Sequence, residues 1–242
     1  MQLMKHGETR PNIASRAPIV FVVENDEAMR SSLAFLLEAT GLRVATFDCA
    51  EAFVNACTPD QPGCLVLDVR LPGMSGVALQ EQLEQIDIKL PVIIITGFAD
   101  VDTAVRVLKR GAFDFFEKPL ADELLLERVR QAIAFDQHRR VIRAERDSLA
   151  ARLARLTARE RAVFDQVVQG KANKVVAIEF GISEKTVEAH RARVMHKLGA
   201  SSLAELVRMD LAASQLDSLR GLHVPRLTDG TLSFRPAQQA HA

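Results

Sequence analysis

The first half of the chain alternates short apolar runs with segments of helical period. Apolar residues dominate 19–23, 43–47, 64–67, 92–95 and 113–116, runs of four or five residues as strands buried on both faces require. Between them the spacing predicts helices over 28–40, 50–57, 76–86 and 101–110, and another from Asp122 onward. Strands that alternate with helices predict an α/β fold, a doubly wound five-stranded parallel sheet over residues 17–135. Right-handed crossovers then place every loop that follows a strand at one edge of the sheet.

Neither Gly nor Pro interrupts the chain from Asp122 to Leu156, so the last helix is expected to run on. Its apolar positions thin out after Phe135 while Arg and Glu alternate. Residues 136–154 therefore read as a linker helix, solvated or dimer-forming. A small all-helical region over 155–214 follows. Thr157 and Glu160 form a capping box and Gly170 stops the helix they start. A short helix over 173–180, a turn at Gly181 and a helix capped by Ser183 running to about Leu198 predict a helix-turn-helix. The polar residues 1–16 read as a flexible N-terminus. Residues 215–242, with Gly221, Pro225, Gly230 and Pro236 and no periodicity, read as loop or disordered tail.

Charge sharpens this division. The 31 basic and 31 acidic side chains cancel, yet residues 1–138 carry 13 basic against 20 acidic, and 139–210 carry 15 against 9. One part is suited to cations and the other to a polyanion. No apolar run approaches the ~18 residues of a membrane span, and the first residues lack the apolar core of a secretion signal. A cytoplasmic protein without membrane contact is the expectation. Cys49, Cys57 and Cys64 have neither metal-type spacing nor a paired framework and read as small residues of a reduced interior.

In a doubly wound sheet, functional groups collect beyond the carboxyl ends of the strands. Glu24 and Asn25 follow the first strand, Asp68 the third, Thr96 with Gly97 the fourth, and Lys118 with Pro119 the fifth. Carboxylates, a hydroxyl and an ammonium on one rim suit a divalent cation and a phosphoryl group. Mg²⁺ takes oxygen ligands and leaves positions for phosphoryl oxygens. Asp68 is the expected nucleophile, Lys118 neutralises developing charge, and Thr96 donates to the transferred group.

The stretches CLVLDVRLPGMSG, VIIITGFAD and GAFDFFEKPL resemble the receiver domain of two-component response regulators over about residues 18–131. The resemblance implies that Asp68 accepts a phosphoryl group from a cognate sensor histidine kinase and that Thr96 and Phe115 form a switch pair. It also implies a cis Lys118-Pro119 bond and Mg²⁺ held by Glu24, Asn25, Asp68 and the backbone carbonyl of Arg70. One departure stands out. Receivers usually carry two acidic residues after the first strand, whereas this chain has Glu24 and Asn25. Asn25 offers a neutral amide oxygen, so the pocket loses about one negative charge and weaker Mg²⁺ binding is expected. Asp26 and Glu27 are accounted for by the N-terminus of the following helix.

On the last helix of the helix-turn-helix, Val187, Val194 and Leu198 share one face, and Lys185, Glu188, Ala189, Ala192 and His196 share the opposite one. The first face packs and the second suits a major groove. Ala189 and Ala192 allow close approach to base edges, and Glu188 can accept from cytosine. Lys174, Thr186, Arg191 and Arg193 suit phosphates. LTARERAVF, NKVVAIEFGIS and TVEAHRARVMHKLG resemble the LuxR-type DNA-binding domain over about 155–212. With the receiver, this resembles the FixJ branch of the NarL/FixJ regulators.

The resemblance implies a transcription regulator, not an enzyme, that forms a homodimer on phosphorylation and binds promoter DNA. Two other readings stand beside it. One is a phosphorylation-independent regulator or interaction module with a metal-poor pocket. The other is a phosphotransferase or phosphatase, which needs a second carboxylate two residues beyond Asp68, where Arg70 stands.

Overall fold

The computed structural model describes residues 17–97 and 101–219. The chain divides into two compact units, one ending at Ala154 and the other beginning at Arg155.

The first unit is a five-stranded parallel sheet in the order β2-β1-β3-β4-β5. Its elements are β1 (Ile19–Val23), α1 (Glu27–Glu38), β2 (Arg43–Phe47), α2 (Ala50–Ala56), β3 (Gly63–Asp68), α3 (Gly76–Gln85), β4 (Val92–Thr96), α4 (Val101–Lys109), β5 (Asp114–Glu117) and α5 (Asp122–Ala154). The apolar runs are continuous because both faces of the sheet are covered. Phe21 and Val23 of β1 enter a core with Phe53, Leu65, Leu67, Leu79 and Ile94. The alternate residues Val20 and Val22 enter a second core with Leu33, Leu37, Ile93, Leu125 and Val129.

Three strands, β3, β4 and β5, end one residue further than the apolar pattern predicts. Asp68 pairs with Ile95, and Thr96 pairs with Glu117, so all three polar side chains stand on the last residue of a strand. The backbone ladder, not side-chain polarity, decides where a strand ends. The same ladder starts β5 at Asp114, one residue later than the apolar run.

α5 continues without a break to Ala154. The expectation of a solvated helix after Phe135 has two exceptions, Asp136, which is fully buried, and Leu149, which is buried as well.

The second unit contains α6 (Ala158–Val168), α7 (Asn173–Phe180), α8 (Glu184–Leu198) and α9 (Leu203–Leu219). The capping box is formed as its residues require: Thr157 accepts from the Glu160 amide, and Glu160 accepts from the Thr157 amide. Gly181 closes α7 in the left-handed region at φ 63°, which a side chain would strain. Ser183 then caps α8.

The tail expected from residue 215 needs correction, because α9 extends through Leu219. No Gly or Pro intervenes between Leu203 and Gly221, so nothing in the chain stops the helix earlier. The rest of that tail, and the expected flexible N-terminus at 1–16, lie outside the described residues.

Candidate functional site

β1, β3 and β5 deliver three charged side chains to one point at the carboxyl edge of the sheet. The Nζ of Lys118 donates to Glu24 Oε2 at 2.6 Å and to Asp68 Oδ2 at 2.9 Å. The remaining oxygens are also used. Glu24 Oε1 accepts from the Asp26 amide at 3.2 Å, and Asp68 Oδ1 accepts from the Arg70 amide at 3.1 Å. Glu24 is 1% exposed and Asp68 5%, a depth at which carboxylates persist only when paired.

Two carboxylates share a single ammonium, so the cluster keeps one unit of negative charge. Its titration follows. Burial raises the Glu24 pKa and the Asp68 charge raises it further, with Lys118 only partly offsetting both. Burial disfavours the charged Lys118, but the bonds to Glu24 and Asp68 outweigh it and hold its pKa above the ordinary lysine value. The lysine is a fixed cation, and the excess negative charge belongs to the Glu24–Asp68 pair.

The loop after β3 is held from both sides. Gly76, at the start of α3, lies so close that a Cβ there would sit 2.1 Å from the Asp68 carbonyl oxygen. Its amide donates to the Val69 carbonyl at 3.0 Å. From α2, Glu51 Oε1 accepts from the Met74 amide at 3.1 Å. The loop after β1 is tied by Arg30, whose guanidinium donates to the carbonyls of Glu24 and Asn25 at 2.8 and 3.2 Å. Asp26 caps α1 by accepting from the Met29 amide at 2.8 Å. A shallow cavity of about 500 Å³, lined by Asp26, Ala28, Met29, Ser32 and Lys118, opens beside the cluster.

The remaining rim residues are placed as follows. Thr96 is fully buried at the end of β4, and its carbonyl accepts from the Lys118 amide at 2.8 Å. Phe115 pairs with Ile94, two residues before Thr96, and packs partly buried on the first core. The Lys118-Pro119 bond is cis. Asn25 is exposed. Among the described residues no group of three or more His, Cys, Asp or Glu side chains could hold a metal. The available hard-oxygen donors are two carboxylates, the Asn25 amide and backbone carbonyls, and with the residual negative charge this set fits Mg²⁺. Sequence reasoning placed these residues together on one rim but missed the shared lysine bond and the roles of Gly76, Glu51 and Arg30. Gly76, the second glycine of LPGMSG, was the one available signal for the close approach.

In the second unit, Val187, Val194 and Leu198 are buried, while Lys185, Thr186, Glu188, Ala189, Ala192, Arg193 and His196 are exposed. Lys174 on α7 is exposed as well. Arg191 is engaged, its Nη1 donating to Asn173 Oδ1 at 2.6 Å and so tying α8 to α7. Thr186 shares a hydroxyl contact of 2.8 Å with the capping Ser183.

Behind this surface Lys197 donates to Glu160 at 2.6 Å and to the Arg155 carbonyl at 3.2 Å. The Lys197 bond, helped by the Thr157 amide, holds the Glu160 carboxyl at about 2.

Comparison with known proteins agrees with both halves. Residues 20–130 match the response regulator receiver domain, and residues 154–210 match the luxR family of bacterial regulatory proteins. The transcriptional regulatory protein FixJ of Azorhizobium caulinodans is 44% identical over 194 residues, covering 80% of this chain and 92% of that protein. FixJ of Rhizobium meliloti is 45% identical over 198 residues, covering 80% and 95%. Among solved structures, the response regulator StyR superposes with a TM-score of 0.77 at 42% identity, covering 81% of this chain and 98% of that one. A receiver of this kind implies a sensor kinase as partner and typically binds Mg²⁺, and a luxR-family domain implies DNA. Among the described residues no helix is long and apolar enough to cross a membrane. The chain belongs to the two-component response regulators with a LuxR-type DNA-binding domain, the FixJ-like transcription regulators.

Proposed function

We propose that Asp68 accepts a phosphoryl group from a sensor histidine kinase and that this controls homodimerisation and DNA binding. The observation that carries the reading is the shared Lys118, 2.6 Å from Glu24 and 2.9 Å from Asp68. It leaves the cluster with one uncompensated negative charge beside a fixed cation, and Lys118 itself lines the cavity.

The Asp68 carboxylate attacks phosphorus as the bond to the kinase imidazole nitrogen breaks, and the imidazole leaves with that electron pair. Lys118 faces the charge that develops on the phosphoryl oxygens, and the Thr96 hydroxyl donates to the transferred group. Glu24, Asn25, Asp68 and the Arg70 carbonyl would hold Mg²⁺, which when bound supplies further neutralisation of phosphoryl charge. Because Asn25 is neutral, the Mg²⁺ requirement is raised. Thr96 and Phe115, both facing the first core, form the switch pair. Response regulator transcription factors are generally not enzymes, and this reading needs no further activity.

In the second unit, α8 enters the major groove. Glu188, Ala189 and Ala192 face base edges, while Lys174, Lys185, Thr186, Arg191 and Arg193 face phosphates. Two copies are needed because one small module buries too little surface for high specificity.

Intact-protein mass after incubation with acetyl phosphate tests the first half. The expected result is one added phosphoryl group on the wild type at millimolar Mg²⁺ and none on Asp68→Ala. No addition to the wild type ends the reading. The second half is tested by salt: about six phosphate contacts imply a loss of roughly 10³ in affinity between 50 and 200 mM. A flat response rejects the α8 surface.

A further inference from the structure

At the edge of the sheet opposite the acidic cluster stands a second buried carboxylate that the phosphoryl chemistry does not use. Asp136 is 0% exposed on α5. Its Oδ2 accepts from the Gly63 amide, the first residue of β3, at 3.1 Å and from Arg140 Nε at 2.6 Å. Its Oδ1 accepts from Arg139 at 2.8 Å. Arg140 then reaches past it, donating to the carbonyls of Asp60 and Gln61 at 3.2 and 2.8 Å. Further along the helix, Arg143 approaches Asp87, before β4, at 3.9 Å.

The Asp136 bond to Gly63 and the Arg140 bonds to Asp60 and Gln61 join α5 to the start of β3 and to the loop before it. A fully buried carboxylate that gives up water must recover its bonds from fixed donors, and here one comes from the sheet backbone and two from the helix. The arrangement is reciprocal: Asp136 orients Arg140, and Arg140 fastens the loop that precedes β3.

We propose that Asp136 and Arg140 form a clamp that makes α5 part of the receiver through residue 140, about two turns beyond the end of its apolar stripe. The stripe itself ends at Ile133, the last of the α5 residues in the second core. Without the clamp, residues 136–140 would have no apolar anchor, and a helical segment without packing frays. With it, the receiver holds α5 through Arg140, and beyond that residue the helix is tied to the receiver only by the exposed Arg143–Asp87 approach among the contacts described. The inference does not depend on phosphorylation.

Hydrogen-deuterium exchange on the full chain, with peptides that resolve 134–140 from 141–148, tests it. In the wild type, 136–140 should exchange at least tenfold more slowly than 141–148. The Gly63 amide should be protected. Asp136→Ala should remove at least tenfold of that protection at both places while β1 and β4 stay protected. Should Asp136→Ala fail to fold, Arg140→Gln keeps the carboxylate and its Gly63 bond, and is expected to speed exchange in 136–140 and in residues 60–61 by several-fold. Equal exchange of 136–140 and 141–148 in the wild type overturns the clamp. So does Arg140→Gln with wild-type protection.

Discussion

The two halves of the molecule contain the same pair of atoms at the same distance and put it to opposite use. Lys118 and Glu24 in the receiver, and Lys197 and Glu160 in the helical unit, each meet at 2.6 Å. Glu160 has its lysine without a competing carboxylate and adds a capping box, so its pKa falls to about 2. Glu24 must share its lysine with Asp68 in a buried cluster, so its pKa rises, first through burial. One pair is satisfied and holds helices together. The other is left negative, which is the condition the proposed phosphoacceptor role requires. A short ion pair says little about its role until the neighbouring charges are counted.

Removing the lysines breaks the comparison most strongly. Lys118→Met strands two buried carboxylates and should cost about 3 kcal/mol at pH 7 without Mg²⁺. Lys197→Met, at the more exposed pair, should cost much less. Urea denaturation of the two variants measures both, and equal losses would mean that the receiver cluster is an ordinary ion pair.

Next in size is Gly76→Ala, whose methyl collides with the Asp68 backbone. It should cost about 2 kcal/mol and slow phosphorylation by displacing the nucleophile. Wild-type stability with wild-type acetyl phosphate kinetics would remove the close approach from the account of the site.

A single phosphate-facing change, Arg193→Ala, should weaken DNA binding by about tenfold for all sequences and lower the slope of log affinity against log salt by about one. Loss for one sequence alone would place Arg193 on a base.

The smallest effects are in pH profiles measured with EDTA. Glu24 has a raised folded pKa, so its charge destabilises the receiver as pH rises above 4.5, and that loss is absent below it. Glu24→Gln should melt a few degrees higher than the wild type at pH 7, and the gain should vanish below pH 4.5. Glu160 has a depressed pKa, so its contribution is present above 4.5 and fades as pH falls toward 2. Glu160→Gln should therefore melt lower at pH 7, with the deficit closing on acidification. Profiles of the same sign would erase the distinction.

The elements were legible because each is set by local period: doubly buried strands give unbroken apolar runs, and the face of α8 follows from 3.6-residue spacing. What escaped was set across the fold. Lys118 lies 94 residues from Glu24. Nothing in the chain announces that the two share a bond, or that Asp136 and Gly63, 73 residues apart, do so. The charged stretch after Phe135 reads as solvated because a buried Asp and its Arg partners look the same in sequence as a surface repeat. Strand ends at Asp68 and Thr96 escaped for a related reason, since the pattern follows side chains and the strand follows its backbone partners.

The bond from Arg191 to Asn173 makes a last point about how the helical unit meets DNA. It ties α8 to α7 in the free protein, so the surface proposed to read DNA is partly preformed and has less ordering entropy to lose on contact. On the proposed α8 surface, affinity then depends on how well the duplex conforms to the protein, and flexible pyrimidine-purine steps in the operator should be favoured even where no side chain touches them.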